Sequence, residues 1–364
     1  MAFETETERL APKYVWAALP ETSQDRLSAS LADEPFDIEK LASHEPTPET
    51  KNKTVLYLAY GSNLCSETFR GVRGIRPLSQ INVLVPSLRL TFDLPGIPYS
   101  EPCFANTARR IPDVLDKGNG NPGREDYHKN RWYKGLVGVV YEVTRSDYVH
   151  IIATEGGGSA YNDVLVDCYV LEASNTVPSS PVSRPFRAHT LFAPIGDNDG
   201  RATTRPDPSY SQPSPRYLKL ITDGAAECRL PIEYRDYLHN IRPYVITSRK
   251  QAVGKTLFLA IWMPFIILIF SLSRKVQNKK GRVPSWFARL SAMVFFSMWL
   301  TYDAVFKGVF GDGERTNGDE ALRETRDEES DMVASPNCVE KESLLEETIA
   351  RTISCGSNRW TNVV

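Results

Sequence analysis

The 364-residue chain has no CxxC pair. Its six cysteines, at positions 65, 103, 168, 228, 338 and 355, lie far apart. That spacing supplies neither a zinc-ligand set nor a dense disulfide framework. A charge imbalance is missing too: 43 Lys and Arg against 45 Asp and Glu leave a net charge of −2. With no global excess of positive charge and no base-reading motif, nucleic acid is not expected as a partner. The stretch MAFETETERLAPKYVW is acidic and has no apolar h-region, so it does not read as a secretory signal. A reducing, cytosolic setting is the expectation. What the chain does have is a globular composition, 41% hydrophobic and 24% charged, enough to bury a sizeable core.

Residues 1–50 are polar and rich in Pro, Ser, Thr and Glu, and read as a disordered leader with one short helix near 37–42. From 51 to 250 the pattern changes. Short apolar runs recur (VLYLAY, INVLVPSLRLTF, GLVGVVYEV, VLVDCYVLEA, RAHTLFA), each bounded by Gly, Pro, Asn or Asp. Such runs are β-strands joined by turns. Helices are expected at 65–70, 145–154 and 215–240, the last divided at Pro231, a helix-start residue. The fold class is therefore α+β with strands dominant. The polar segments 109–135 and 174–213 are long loops, and loops of that length in a compact domain are often functional.

After residue 250 the character shifts again. Residues 256–273, TLFLAIWMPFIILIFSLS, carry no charge over eighteen positions, about the length that crosses a ~30 Å hydrocarbon core. A second segment, 286–306, is interrupted by Arg289 and Asp303; it reads as a span helped by snorkelling, or as a re-entrant or interfacial helix. Residues 256–306 thus form a membrane-associated hairpin or anchor, with lipid as a partner. The tail, 307–364, is acidic and expected to be disordered, with one short amphipathic helix in KESLLEETIARTI. Two topology signals conflict. The connector RKVQNKKGR is strongly basic and belongs in the cytosol by the positive-inside rule, yet no signal peptide would carry the large amino-terminal domain across. A cytosolic catalytic domain is the preferred arrangement. Asn52 in NKT is a glycosylation acceptor that only a lumenal domain would use.

Three stretches carry candidate chemistry. In VLYLAYGSNLCSETFR a strand breaks into Tyr60, Gly61, Ser62, Asn63 and Leu64 before a helix start. The junction is either a tight turn or a loop whose N–H groups face an anion such as a carboxylate. In IIATEGGGSAY a helix ends at Glu155, followed by three glycines where one would cap it. Glu155 is either a solvated helix-end carboxylate or a general acid/base beside apolar residues. In PSPRYLKLITDGAAECRLPIEYRDYL two prolines fix the approach to Tyr217, either a core aromatic or a ligand contact. The following Gly-Ala pair permits close packing.

The order and spacing of these three stretches resemble the γ-glutamylcyclotransferase family over residues 55–241. RLTFDLPGIPYSEPCFAN and the large insertions resemble its fungal branch associated with sulfur-bridged diketopiperazine (gliotoxin-type) toxins. The resemblance implies a small β-barrel with flanking helices, here with C-terminal hydrophobic helical segments added. It implies cleavage of a γ-glutamyl amide by attack of the substrate's own α-amine, giving 5-oxoproline, with no metal or organic cofactor. It makes Glu155 the acid/base, Tyr60, Gly61, Ser62, Asn63 and Leu64 the loop holding the γ-glutamyl group, and Tyr217 a wall of the same pocket. The insertions imply a leaving group larger than cysteinylglycine, such as a glutathione S-conjugate. Alternatives are the same chemistry on glutathione or γ-glutamyl amino acids, and a non-catalytic γ-glutamyl-binding membrane protein.

Overall fold

The structure is a computed structural model that describes residues 16–36, 53–110, 132–154, 162–192, 205, 207, 210–276 and 284–316. Glu155 with its three glycines, Asn52, the expected helix at 37–42, the interior of the 109–135 insertion and the tail beyond 316 lie outside these residues.

Five strands close into a barrel: β1 (Thr54–Ala59), β2 (Ser79–Val85), β5 (Leu136–Thr144), β6 (Asn162–Val170) and β7 (Pro185–Phe192), in the order β1-β5-β2-β6-β7. β1 is antiparallel to β5, with Tyr57 opposite Tyr141, and β2 to β5, with Ile81 opposite Val140. The ring shuts where β1 meets β7 in parallel, Tyr57 beside His189. Closure leaves these strands no free edge, and their faces pack inward on the barrel and outward on helices. That is why β1 and β5 read as nearly unbroken apolar runs rather than alternating ones. Leu56, Leu58, Val83, Val139 and Val140 lie at the centre of this core.

The strands β3 (Leu88–Ile97) and β4 (Glu101–Arg109) form a separate antiparallel hairpin. The run INVLVPSLRLTF is thus two strands, divided at Pro86 and Ser87. The helical stretch expected at 65–70 is a single π-turn, Glu67–Val72, that buries Phe69 against Tyr141, ring centroids 4.8 Å apart. Helix α2 (Arg145–Thr154) forms where expected. The 215–240 stretch divides as Pro231 dictates, into α3 (Pro215–Glu227) and α4 (Ile232–His239). Ser214 caps α3, accepting the Tyr217 N–H at 3.0 Å, and Pro215 occupies its first turn.

The leader departs from expectation over residues 16–36. A short helix, α1 (Gln24–Ala29), buries Leu27. Arg26 donates to Thr54 Oγ1 at 3.0 Å and to Asp33 at 3.1 Å, and Glu21 bridges Gln80. Phe36 stacks on His189 at 4.6 Å. A polar composition hid these few anchoring contacts.

Two long apolar helices complete the chain. α5 (Arg249–Val276) lies against α6 (Ser285–Thr301), which continues through a π-turn (Tyr302–Phe306) into α7 (Lys307–Phe310). Both are long and apolar enough to cross a membrane. Leu257, Ile261, Phe265, Leu268, Met293 and Phe296 are exposed along them. The tail does not begin as a disordered segment: residues 307–316 finish the helix and return onto the domain.

Candidate active site

β1 ends at Ala59 and delivers the chain into Tyr60, Gly61 and a single 3₁₀ turn, Ser62–Leu64. The turn uses the Leu64 N–H on Gly61 O at 3.0 Å and the Cys65 N–H on Ser62 O at 3.2 Å. Geometry of this kind leaves the Gly61 and Ser62 N–H groups outside the turn's own bonding. Leu64 is buried in the core, so it can offer a ligand only its backbone. Asn63 is also buried and donates from Nδ2 to the Tyr57 hydroxyl at 2.8 Å. Tyr60 is half-buried at the rim of the core.

The loop is held from below by α3. A Cβ on Gly224 would lie 2.4 Å from Leu64 C and from Cys65 N, so only glycine lets the helix approach the loop backbone this closely. Glu227, one turn on, accepts the Ser66 N–H at 2.8 Å. The Cys228 Sγ lies 3.6 Å from Leu64 O and 3.4 Å from the Tyr141 hydroxyl. Burial pushes the Cys228 thiol up to about 11 and raises that of Cys65 as well. Neither thiol is a nucleophile; both are packing groups.

Tyr217 projects from the first turn of α3 toward the same loop. Its hydroxyl accepts the Ala105 N–H of β4 at 3.1 Å, and Phe104 meets its ring edge-on at 5.0 Å. A Cβ built on Gly61 would stand 3.4 Å from that hydroxyl and 3.5 Å from the Ala105 Cβ. Gly61, Tyr217 and β4 therefore meet at one point. The opposing strand β4 was not legible as part of the site, nor was Glu101, which begins it. The Glu101 carboxylate is buried and accepts from Ser214 Oγ and Arg216 Nε, each at 2.6 Å. These contacts span more than a hundred residues, and no local pattern announces them.

The Glu155 position follows directly on α2, whose Tyr148, Ile151 and Ile152 are buried. Its side chain lies outside the described residues, so the loop and Tyr217 are the expected site residues that are seen together. The chain re-enters at β6, and the two flanks of the gap are tied: Tyr148 donates to Asp163 Oδ1 at 2.5 Å. Asp163 also lies 2.9 Å from His189 Nδ1 and accepts the Phe36 N–H at 2.5 Å. Burial, then the Asp163 charge, raise the Tyr148 phenol well above its usual range, so Tyr148 stays a donor.

Comparison with known proteins adds the following. The family described as the AclK C-terminal domain matches residues 248–309. The γ-glutamyl cyclotransferase aclK of Aspergillus oryzae is 30% identical over 270 residues, covering 72% of this chain and 91% of its own. The γ-glutamyl cyclotransferase gliK of Aspergillus fumigatus is 31% identical over 266 residues, covering 71% and 89%. A solved structure of an uncharacterized human protein, loc79017, is 20% identical with a TM-score of 0.36, covering 54% of this chain and 94% of its own. By its identity to the Aspergillus oryzae enzyme over nearly all of that enzyme's length, the chain belongs to the γ-glutamyl cyclotransferase family.

Proposed function

We propose that this enzyme cleaves a γ-glutamyl amide to 5-oxoproline and a free amine, with Glu155 as acid/base. The observation that carries the reading is the meeting of Gly61, the Tyr217 hydroxyl and the Ala105 amide at the end of β1, together with helix α2, whose described residues reach Thr154, next to Glu155 in the sequence.

The chemistry follows from the substrate. Its α-amine is protonated near pH 7 and cannot attack. Glu155 takes that proton; the amine nitrogen then bonds to the γ-carbonyl carbon, closing a five-membered ring. The carbon–nitrogen bond to the remainder breaks, and Glu155 returns a proton to the leaving nitrogen. General acid–base help of this kind is typically worth ~10²–10⁴-fold. The nucleophile and carbonyl belong to one molecule, so holding the glutamyl chain curled supplies much of the rest. In this reading the Tyr60–Leu64 loop anchors the glutamyl end through backbone N–H groups, and Tyr217 closes the pocket wall.

The substrate we favour is a glutathione S-conjugate of an apolar fungal metabolite, as in gliotoxin-type toxin biosynthesis. Its support is the length of the polar sequence segments 109–135 and 174–213 and the fungal relatives already described. The apolar pair α5 and α6 is read as a membrane anchor for a cytosolic catalytic domain, which would hold the enzyme near an apolar substrate. The full-length protein would be given glutathione, a γ-glutamyl amino acid and S-hexylglutathione, and 5-oxoproline release followed. A higher kcat/KM for the conjugate supports the toxin-pathway reading. Preference for glutathione makes the enzyme a glutathione-degrading one. Binding without turnover leaves a γ-glutamyl-binding membrane protein.

A further inference from the structure

Residues 311–316 run back across the catalytic domain as a strap. We infer that this strap is a positioning element for Tyr217, which makes the apolar helices part of the substrate-binding machinery rather than a detachable tether. The inference rests on the reading of Tyr217 as a pocket residue.

The strap holds both partners of the bond that sets the start of α3. On one side, Gly313 O accepts the Tyr99 N–H at 2.8 Å, two residues before Glu101. On the other, Glu314 O accepts the Gln212 N–H at 2.9 Å, two residues before Ser214. The Thr316 N–H donates to Gln212 Oε1 at 2.7 Å, and the Ser211 hydroxyl to Glu314 Oε1 at 2.8 Å. Glu101 and Ser214, clamped from outside in this way, bond each other at 2.6 Å. Ser214 caps the helix that carries Tyr217, and the Tyr217 hydroxyl returns to Ala105 on the strand that Glu101 begins. The path from strap to pocket is thus a closed ring of hydrogen bonds through two elements.

The same strap is built into the apolar helices. Tyr99, in the left-handed region at φ 64°, turns the β3–β4 tip into a cluster of Phe258, Met298, Trp299, Tyr302 and Phe306. Its hydroxyl donates to Gly311 O at 2.8 Å. Asp312 is the hub of the strap: its Oδ1 accepts the Glu314 N–H at 2.8 Å and the Tyr302 hydroxyl at 3.2 Å, and its Oδ2 accepts the Tyr210 hydroxyl. Gln251 Nε2, from α5, donates to Asp312 O at 2.9 Å. Arg205 pairs with Glu314 at 2.6 Å and with Asp303 of the π-turn at 2.6 Å. Packed polar layers of this kind have discrete arrangements rather than a continuum, so loosening one side is felt on the other.

The test uses the full-length chain, wild type against Asp312→Ala and Glu314→Gln, with glutathione and S-hexylglutathione as probes. Loss of the Asp312 acceptors, or of the Glu314 charge that pairs with Arg205, should raise KM about tenfold for the better substrate while kcat changes less than about twofold, the signature of lost binding rather than lost chemistry. On a Tyr217→Phe background the same substitutions should add almost nothing, because coupled sites are non-additive. Amide hydrogen exchange over residues 213–220 should quicken in both variants, with β1 and β5 unchanged. If the wild type releases no 5-oxoproline, the functional reading fails, and exchange alone decides the strap's role. Unchanged exchange at 213–220, or KM effects that add to those of Tyr217→Phe, overturns the inference. If Asp312→Ala does not fold, Glu314→Gln, which keeps an acceptor for Ser211, carries the same readouts.

Discussion

Two glycines make opposite demands. At Gly224 an added methyl would sit 2.4 Å from the Leu64 and Cys65 backbone, so Gly224→Ala must push the loop off α3. A loss of about 1–3 kcal/mol is expected from such overpacking, read as a lower midpoint in urea. At Gly61 the methyl meets Tyr217 and Ala105 at ordinary contact distances. Gly61→Ala is therefore expected to fold with an unchanged midpoint and to raise KM for a γ-glutamyl substrate about tenfold or more. The thiols supply a pH signature. Cys228 is raised from an ordinary 9.0 to about 11, so above pH 9 the unfolded chain loses that proton before the folded one does. Stability should fall as pH rises from 9 to 11, less steeply in Cys228→Ala. A urea midpoint series checks it; equal slopes for the two proteins would contradict it. At this scale the sequence was informative wherever the pattern is local. The two prolines before Tyr217 mark the approach to its helix, and the Gly-Ala pair announces close packing; the Ser214 cap is seen only in the structure. Glu101 announces nothing, because its partners Ser214 and Arg216 lie on another element.

Elements show why local patterns succeed and fail. β1 and β5 were readable because both faces are buried and the apolar runs are continuous. The β3–β4 hairpin was harder: Leu94, Pro95 and Gly96 look like a turn, yet the strand continues through a register shift between Thr91 and Leu94. Proline is tolerated there at an irregular, two-stranded edge. Residues 16–36 escaped notice because their hold is a few long-range contacts, Arg26 to Thr54 and Phe36 on His189, in a polar composition. The Tyr148–Asp163–His189 cluster ties α2 to β6 at the flanks of the Glu155 position. Asp163→Asn changes the carboxylate that the Tyr148 hydroxyl and the Phe36 N–H donate to and that His189 Nδ1 meets at 2.9 Å, and a loss of about 3 kcal/mol is expected for a broken buried network. Thermal unfolding of the purified variant measures it; a midpoint equal to wild type would show that the cluster contributes nothing.

As a whole, the molecule joins a barrel to an apolar helix pair through the β3–β4 tip and the strap. Removing residues 248–364 would strip Phe258, Tyr302 and Phe306 from Ile97 and Tyr99 and expose apolar surface on the catalytic domain. That truncated chain is expected to aggregate, whereas the full chain should float with liposomes. Recovery of a soluble, monomeric, active truncation would contradict the account. Glycosylation at Asn52 in a eukaryotic host would place the domain in the lumen and overturn the cytosolic arrangement. The central claim concerns chemistry, and one comparison tests it: 5-oxoproline release by full-length wild type and by Glu155→Gln, beside direct binding of the same γ-glutamyl substrate to both. The account expects the rate to fall ~10²-fold or more in the variant with binding retained. Turnover by Glu155→Gln at the wild-type rate would contradict it.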